Sequence, residues 1–252
     1  MYLSTLLIDT GTNPDRPRPG RLWLRNRYRV HQRLCMAFPS RQRANIDAAF
    51  LTPYDPGDFS AGQVHVPRND DGGFLFRVDP LPNGRAVILV LSAIEPDWDY
   101  AFQNAFYFLA ARPQTRAYAP VVVVRQQYRF RLAANAVFRA RARSLHRSGR
   151  KIDDRWVGKR IGVPGDEASL RGWIDRHAAR AGFVVRDLPV AQAGYVYVNK
   201  TGKAGNGQRL RSAQYEGILE VTDPGALDKA LRSGIGPAKA FGFGLLSIAP
   251  AQ

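Results

Sequence analysis

The order in which strand-like and helix-like segments follow one another is the feature that most constrains this fold. A strand-like run over 1–8 is followed by a loop rich in proline and glycine. A helix is predicted over 28–38, where apolar residues recur at helical spacing. Two strands, over 72–80 and 85–94, flank an Asn-Gly turn, and a helix-like segment covers 98–111. This order, approximately β-α-β-β-α-β, is that of a ferredoxin-like or RNA-recognition-type fold.

The second half of the chain repeats this order. Its predicted segments are a strand over 121–136, a helix over 166–182, strands over 183–190, 194–200 and 209–222, a helix over 223–234 and a strand over 244–250. Asp223 is the expected N-cap of the last helix and Pro224 its first residue. The sequence therefore predicts an α+β protein of two tandem ferredoxin-like (RRM-like, βαββαβ) domains, residues 1–117 and 118–252.

The charge balance predicts an anionic partner. Lysine and arginine number 37 against 21 acidic residues, a net charge of +16, and only six of the cations are lysines. A genome that favours arginine codons would explain the ratio of arginine to lysine but not the excess over acids. Guanidinium groups bind phosphates in a forked geometry, so the composition favours nucleic acid as the partner.

The cysteine count and the lengths of the apolar runs indicate a cytoplasmic protein that does not enter a membrane. Cys35 is the only cysteine, which excludes an intrachain disulfide and a cysteine-based zinc site and fits a reducing compartment. The run over 86–94 is the longest apolar stretch, well below the roughly 20 residues that cross a bilayer. The N-terminus also lacks the features of a signal peptide.

The predicted helix over 28–38 carries a candidate catalytic pair. Tyr28, His31 and Cys35 form a stripe beside the apolar face of that helix. A histidine at such a boundary is often only a packing residue. The alternative is RNA cleavage by attack of the 2′-hydroxyl on the adjacent phosphorus, which needs a group that titrates near neutrality. His31 would then move a proton, and Tyr28 would donate to a phosphate oxygen or position the 2′-hydroxyl.

No metal site or cofactor is predicted. A metal-dependent nuclease, a second class of function, would need clustered carboxylates. The densest acids, over 69–73 and 153–154, lie in turn-like contexts. His65, His146 and His177 have no metal-ligand spacing to one another.

Candidate RNA contacts lie at the start of the helix over 28–38 and in a basic run over 139–160. A glycine-rich segment over 234–244 permits close backbone approach, and its assignment to RNA is what the resemblance to a known family implies. A solvated charged face is the alternative explanation of the basic run, but its density without balancing acids favours a phosphate backbone. The assigned residues are Arg27, Arg139, Arg141, Arg143, Arg147, Arg150, Lys151, Arg155, Lys159, Arg160, Gly234, Gly236, Lys239, Gly242 and Gly244.

Several motifs along the whole chain resemble one family. The opening MYLS, the spacing Y-x-x-H-x-x-L-x-x-x-F-P from Tyr28 to Pro39, and the runs YRFRLAANA, YEGILEVTD and SGIGPAKAFGFGLLSIAP are similar to the CasE family of CRISPR RNA endoribonucleases. Members of that family are the repeat-processing subunits of type I-E Cascade and belong to the RAMP superfamily. The resemblance runs from the first predicted strand to the last.

The resemblance implies a function as well as a fold. It implies cleavage of the CRISPR repeat RNA (pre-crRNA) at the 3′ base of its hairpin, without a metal, leaving a 2′,3′-cyclic phosphate and a 5′-hydroxyl. The enzyme would stay bound to the crRNA with the other Cascade subunits as partners. The active-site histidine falls on His31, the tyrosine on Tyr28, and the glycine-rich loop on Gly234 to Gly244.

Two departures from the family leave questions open. The chain has a Pro/Arg-rich insertion over about 11–26, and no lysine follows closely after His31. A third catalytic cation is therefore unassigned, with Lys159, Lys239 and the arginines over 141–150 as candidates. The alternative function within the same family is a non-catalytic RNA-binding subunit of the complex.

Overall fold

The fold was analysed in a computed structural model, which describes residues 1–11, 19–48, 65–66, 73–82, 84–140, 155, 157–200 and 207–251. The chain divides into two compact units. Unit 1 comprises Met1–Val121, Tyr197–Gln208 and Lys239–Gly242. Unit 2 comprises Val122–Val196, Arg209–Ala238 and Phe243–Gln252. Two short segments from the second half of the sequence thus belong to unit 1.

Unit 1 contains a four-stranded antiparallel sheet. Its strands are β1 (Tyr2–Asp9), β2 (Phe74–Leu81), β3 (Arg85–Ser92) and β4 (Gln114–Ala117). They lie in the order β2-β3-β1-β4, with β1 paired to both β3 and β4. The first strand of the chain is therefore central, as a ferredoxin-like βαββαβ unit requires.

The helical segments of unit 1 follow β1 and β3. They are α1 (Pro19–Arg25), α2 (Arg27–Cys35), α3 (Arg41–Ile46), α4 (Trp98–Phe102) and a 3₁₀ turn over Phe106–Phe108. Helix α1 occupies part of the segment that the sequence indicated as an insertion, and it buries Trp23, which stacks on Phe108 with ring centroids 4.8 Å apart.

The prediction of one helix over 98–111 was wrong. Helix α4 is capped by Asp97, whose side chain accepts from the Tyr100 backbone N–H, but it ends at Phe102. Further along, Leu109 forms a bridge to Ile8, and the Ala110 N–H donates to the Leu7 carbonyl. Because the chain joins strand β1 there, it cannot continue as a helix.

Apolar residues of the sheet and helices form the core of unit 1. The fully buried side chains include Leu6 and Ile8 from β1, Val30 and Leu34 from α2, and Phe76 from β2. Val30 and Leu34 are the residues whose spacing predicted this helix. Burying each such aliphatic side chain contributes about 1.5–3 kcal/mol, so this core fixes α2 against the sheet.

Unit 2 repeats the same arrangement. Its sheet contains β5 (Gln127–Ala134), β8 (Phe183–Val198), β9 (Gln208–Val221) and β10 (Leu246–Pro250), in the order β10-β5-β9-β8. Its helices are α5 (Glu167–Arg180) and α6 (Pro224–Ser233), and a two-stranded ribbon is formed by β6 (Val137–Arg139) and β7 (Arg160–Gly162). The predicted fold class, two ferredoxin-like domains in tandem, is confirmed.

Two predictions about strand boundaries in the second half of the chain were wrong. The valines over 121–124 are not in a strand; Val121 is 80% exposed, and Arg125, with a φ of 66°, interrupts extended backbone before β5 begins at Gln127. The two strands predicted over 183–190 and 194–200 are the single strand β8, which is hydrogen-bonded to β9.

The predicted start of α6 is confirmed. Asp223 accepts from the Ala226 N–H at 3.0 Å, and Pro224 is the first helical residue. Among the described residues, no helix combines the length and the apolar content that a bilayer-spanning segment needs.

Candidate functional site

Helix α2 places Tyr28 and His31 side by side. Its N-cap is Asn26, whose side-chain oxygen accepts from the Tyr28 N–H at 3.2 Å. Because Tyr28 and His31 are three residues apart, they lie on one side of the helix, and their ring centroids are 6.5 Å apart. Their proximity is therefore a direct consequence of helical geometry.

Aromatic side chains of β2 hold the imidazole of His31. The His31 ring lies 5.6 Å from the Phe74 ring and 6.2 Å from the Phe76 ring, between centroids. His31 is only 8% exposed, and its carbonyl accepts from the Cys35 thiol. The imidazole therefore has a fixed orientation and a small accessible edge, an arrangement suited to proton transfer with a bound substrate.

The 3₁₀ turn Lys239–Phe241 completes this side of unit 1. The turn packs against α2 and β2, and Phe241 lies 6.4 Å from Tyr28 between ring centroids. The next residue, Gly242, has a φ of 82°, and a Cβ there would lie 3.0 Å from Cε2 of Phe76. Gly242 thus allows the turn to approach the aromatic ring that supports His31.

The other glycines of the predicted RNA-binding loop have backbone roles in unit 2. Gly234, Gly236 and Gly244 all have positive φ. A Cβ on Gly236 would lie 3.3 Å from the buried Trp173 ring, and Gly244 bonds to both Ala133 and Ile235. These contacts explain the glycines without RNA, whereas their assignment to RNA contact stays a prediction.

Asn26 joins α2 to Asn199, in the segment Tyr197–Gln208 that belongs to unit 1. Its Nδ2 donates to the Asn199 carbonyl at 2.9 Å, and its Oδ1 accepts from the Asn199 N–H at 3.1 Å. Lys200 follows, with its ammonium 5.6 Å from the centre of the Phe241 ring. No local sequence pattern indicates Asn26, Phe241 or Lys200, because 173 residues separate the two asparagines.

Arg27 lies one helical turn before His31 and is half-buried. Burial lowers the pKa of its guanidinium to about 10, and the attraction of Asp79 opposes this only in part. Its Nη1 is buried without a hydrogen-bond acceptor among the described residues. A buried donor of this kind is costly unless a ligand such as a phosphate supplies an acceptor.

The described part of the predicted basic run contains four exposed basic residues. Arg139 on β6 and Arg160 on β7 are exposed and pair directly across the ribbon, where like charges repel. Arg155 and Lys159 are also exposed. Arg141, Arg143, Arg147, Arg150 and Lys151 lie outside the described residues.

Two arginines on the open face of the second sheet form ion pairs instead. Arg131 forms an ion pair with Glu216 at 2.9 Å, and Arg186 forms one with Glu220 at 2.8 Å. The hydrogen bond and charge of Arg186 lower the pKa of Glu220. Arg139 and Arg160 face each other, whereas Arg131 and Arg186 are paired with acids. This difference favours the β6–β7 ribbon over these paired arginines as the anion-binding surface of unit 2.

The remaining histidines either have contacts of their own or lie outside the described residues. His177 stacks on Trp173 at 3.9 Å, and its Nδ1 is 2.9 Å from the Trp173 carbonyl oxygen. His65 bridges to Pro39 through the backbone, and His146 lies outside the described residues, as do 69–72 and 153–154. The described residues contain no group of three or more potential metal ligands.

Comparisons with known proteins agree with this fold. A family model described as "CRISPR associated protein" matches residues 1–250. The Cascade subunit CasE of Escherichia coli is 28% identical over 255 residues, covering 99% of this chain and all of the relative. The CRISPR-associated endoribonuclease Cse3 of Thermus thermophilus is 31% identical over 173 residues, covering 65% of this chain and 73% of the relative. A structure of Cse3 bound to a 19-nucleotide RNA superposes with a TM-score of 0.69 and 26% identity, covering 99% of this chain and all of the other.

Proposed function

This chain belongs to the CRISPR-associated protein family that includes CasE, and on that premise we propose that it is an endoribonuclease that processes CRISPR repeat RNA. It cleaves pre-crRNA at the 3′ base of the repeat hairpin and then stays bound to the crRNA as a subunit of Cascade. The observation that carries the proposal is the Tyr28–His31 pair, with its rings 6.5 Å apart and the imidazole packed against Phe74 and Phe76. The relatives named CasE and Cse3 support it.

The proposed reaction is an internal transesterification. The 2′-oxygen attacks the adjacent phosphorus as its proton leaves, and the bond from phosphorus to the 5′-oxygen breaks as that oxygen gains a proton. The products are a 2′,3′-cyclic phosphate and a 5′-hydroxyl. His31 transfers one of these protons, and Tyr28 donates a hydrogen bond to the reacting phosphate or its 2′-hydroxyl. Side chains supply both functions, so the reaction proceeds without a metal ion.

Two features of the basic surface support RNA as the substrate. Arg27 presents a buried donor without an acceptor among the described residues. Arg139 and Arg160 face each other across the β6–β7 ribbon, so an anion that binds both relieves their repulsion. The net charge of +16 supports the same assignment.

Cleavage of a cognate repeat by His31→Ala tests the proposal. The wild type should cleave in excess EDTA and yield a 2′,3′-cyclic phosphate end. The variant should lose about 10²–10⁴-fold in single-turnover rate, because one proton-transfer group is missing. Its affinity for a repeat with a 2′-deoxy nucleotide at the scissile position should stay within about threefold.

Other outcomes distinguish the alternatives. Binding without cleavage by the wild type would make the chain a non-catalytic RNA-binding subunit. Strict dependence on Mg²⁺ would instead indicate a metal-dependent nuclease. Full activity of His31→Ala would remove His31 from the mechanism.

A further inference from the structure

We propose that Lys200 is the cation that stabilises the negative charge on the scissile phosphate. The inference rests on the proposed endoribonuclease function and adds a residue to its site. The developing phosphorane carries more negative charge on its non-bridging oxygens than the substrate does, so a positioned cation accelerates the reaction. Neither Tyr28 nor His31 in its neutral form provides that charge.

Helix α2 itself does not provide a free cation at this place. Arg29 and Arg33 are each two residues from His31 and therefore point away from the His31 side of the helix. The Nη1 of Arg33 bonds to the Ala101 carbonyl and to Asn104. Arg27 is on the correct side, but the nearby carboxylate of Asp79 attracts its guanidinium and partly balances its charge.

Lys200 is held at the N-terminus of α2 by its neighbour. A single oxygen, Oδ1 of Asn26, accepts both the Tyr28 N–H, at 3.2 Å, and the Asn199 N–H, at 3.1 Å. The donation from Asn26 Nδ2 to the Asn199 carbonyl closes a two-bond contact that fixes the backbone of Asn199. The backbones of Tyr28 and of Asn199, the residue before Lys200, are therefore both bound to the side chain of Asn26.

The side chain of Lys200 remains available to a ligand. Its ammonium lies over Phe241, the same ring that contacts Tyr28 at 6.4 Å. Lys200 is exposed, and no acidic side chain of the described residues forms an ion pair with it. Lys239 begins the turn that carries Phe241 but is half-buried. Lys200 is thus more open to a phosphate than Lys239 is.

The experiment measures cleavage and binding separately. Lys200→Ala should lower the single-turnover rate at saturating protein by about 10²–10³-fold, the loss seen when one transition-state donor is removed. Affinity for the uncleavable 2′-deoxy repeat should change by less than about threefold, since the contact strengthens only as charge develops. Lys229→Ala, which removes an exposed lysine from α6 in unit 2, is the matched control and should cleave as the wild type does.

Chemical restoration of the ammonium tests its role directly. The chain has one cysteine, Cys35, and it is buried. Lys200→Cys can therefore be alkylated selectively with 2-bromoethylamine to give a lysine analogue. Cleavage should recover in this variant and not in Lys200→Ala treated in the same way. A purely structural role would not give this pattern.

The remaining outcomes overturn the assignment without ambiguity. If Lys200→Ala cleaves at the wild-type rate while His31→Ala is inactive, the inference fails and the proposed function stands. A loss that appears only in affinity makes Lys200 a binding contact, and a loss confined to Lys239→Ala transfers the role to that residue. If wild type does not cleave, the proposed function itself fails.

Discussion

At the scale of single residues, Gly242 has a backbone conformation that favours glycine and also lies against a ring of the candidate site. Its φ of 82° disfavours any side chain, and a Cβ there would also press on Phe76, which supports His31. The glycine-rich segment therefore contacts Phe76, which in turn packs against the imidazole of His31.

We expect Gly242→Ala to lower both stability and activity. The backbone strain costs about 1–3 kcal/mol, and displacement of Phe76 should lower the cleavage rate by up to about 100-fold through misplacement of His31. Gly158→Ala is the control for stability: its φ is 80°, but a Cβ there meets nothing within 4 Å. Urea denaturation of both variants should show the larger loss for Gly242→Ala, and equal losses would contradict a role for the Phe76 contact.

At the scale of elements, Asn26 has two functions at the start of α2. It caps the helix and also joins it to Asn199 near the end of β8. A cap substitution costs about 0.5–2 kcal/mol, and the bonds to Asn199 add to this. Asn26→Ala should therefore lower the urea midpoint more than Ser40→Ala, which removes the cap of α3. It should also reduce cleavage, whereas equal effects on stability would show that the Asn199 bonds contribute nothing.

His177, in helix α5, should make the stability of unit 2 depend on pH, with a lower stability in mild acid. Burial lowers the pKa of His177, and the charges of Arg176 and Arg180 lower it further, against the opposing effect of the Trp173 carbonyl. As the pH falls through about 6.5, the unfolded chain binds a proton that the folded state resists, so the unfolding free energy decreases. Thermal midpoints measured from pH 8 to pH 5 should fall less in His177→Gln than in wild type. Parallel profiles would exclude His177 as a cause.

At the scale of the whole molecule, the charge excess predicts binding that is sensitive to salt. The logarithm of the binding constant should fall linearly with the logarithm of salt concentration, by about 0.7–0.9 for each neutralised phosphate. Arg139→Gln should reduce that slope by about 1. Arg186→Gln removes the same charge from a residue paired with Glu220 and should leave the slope unchanged. Equal effects of the two substitutions would contradict the assignment of the β6–β7 ribbon.

The sequence by itself determined the order of elements, the fold class and the Tyr28–His31 pair. These are local properties: the spacing of Val30 and Leu34 defines a helix, and a separation of three residues places two side chains on one side of it. Boundaries failed where tertiary contacts overrode local preference, as where the bridge from Leu109 to Ile8 shortened a predicted helix.

Only the tertiary structure decided what surrounds that pair. Lys200 and Phe241 come from segments that lie far from α2 in the sequence and return to unit 1. The position of Lys200 depends on the two hydrogen bonds between Asn26 and Asn199, and that of Phe241 on the absence of a side chain at Gly242. Neither contact produces a periodic pattern in the sequence. Local spacing can therefore identify a proton-transfer residue, whereas the choice of its partner cation requires the folded chain.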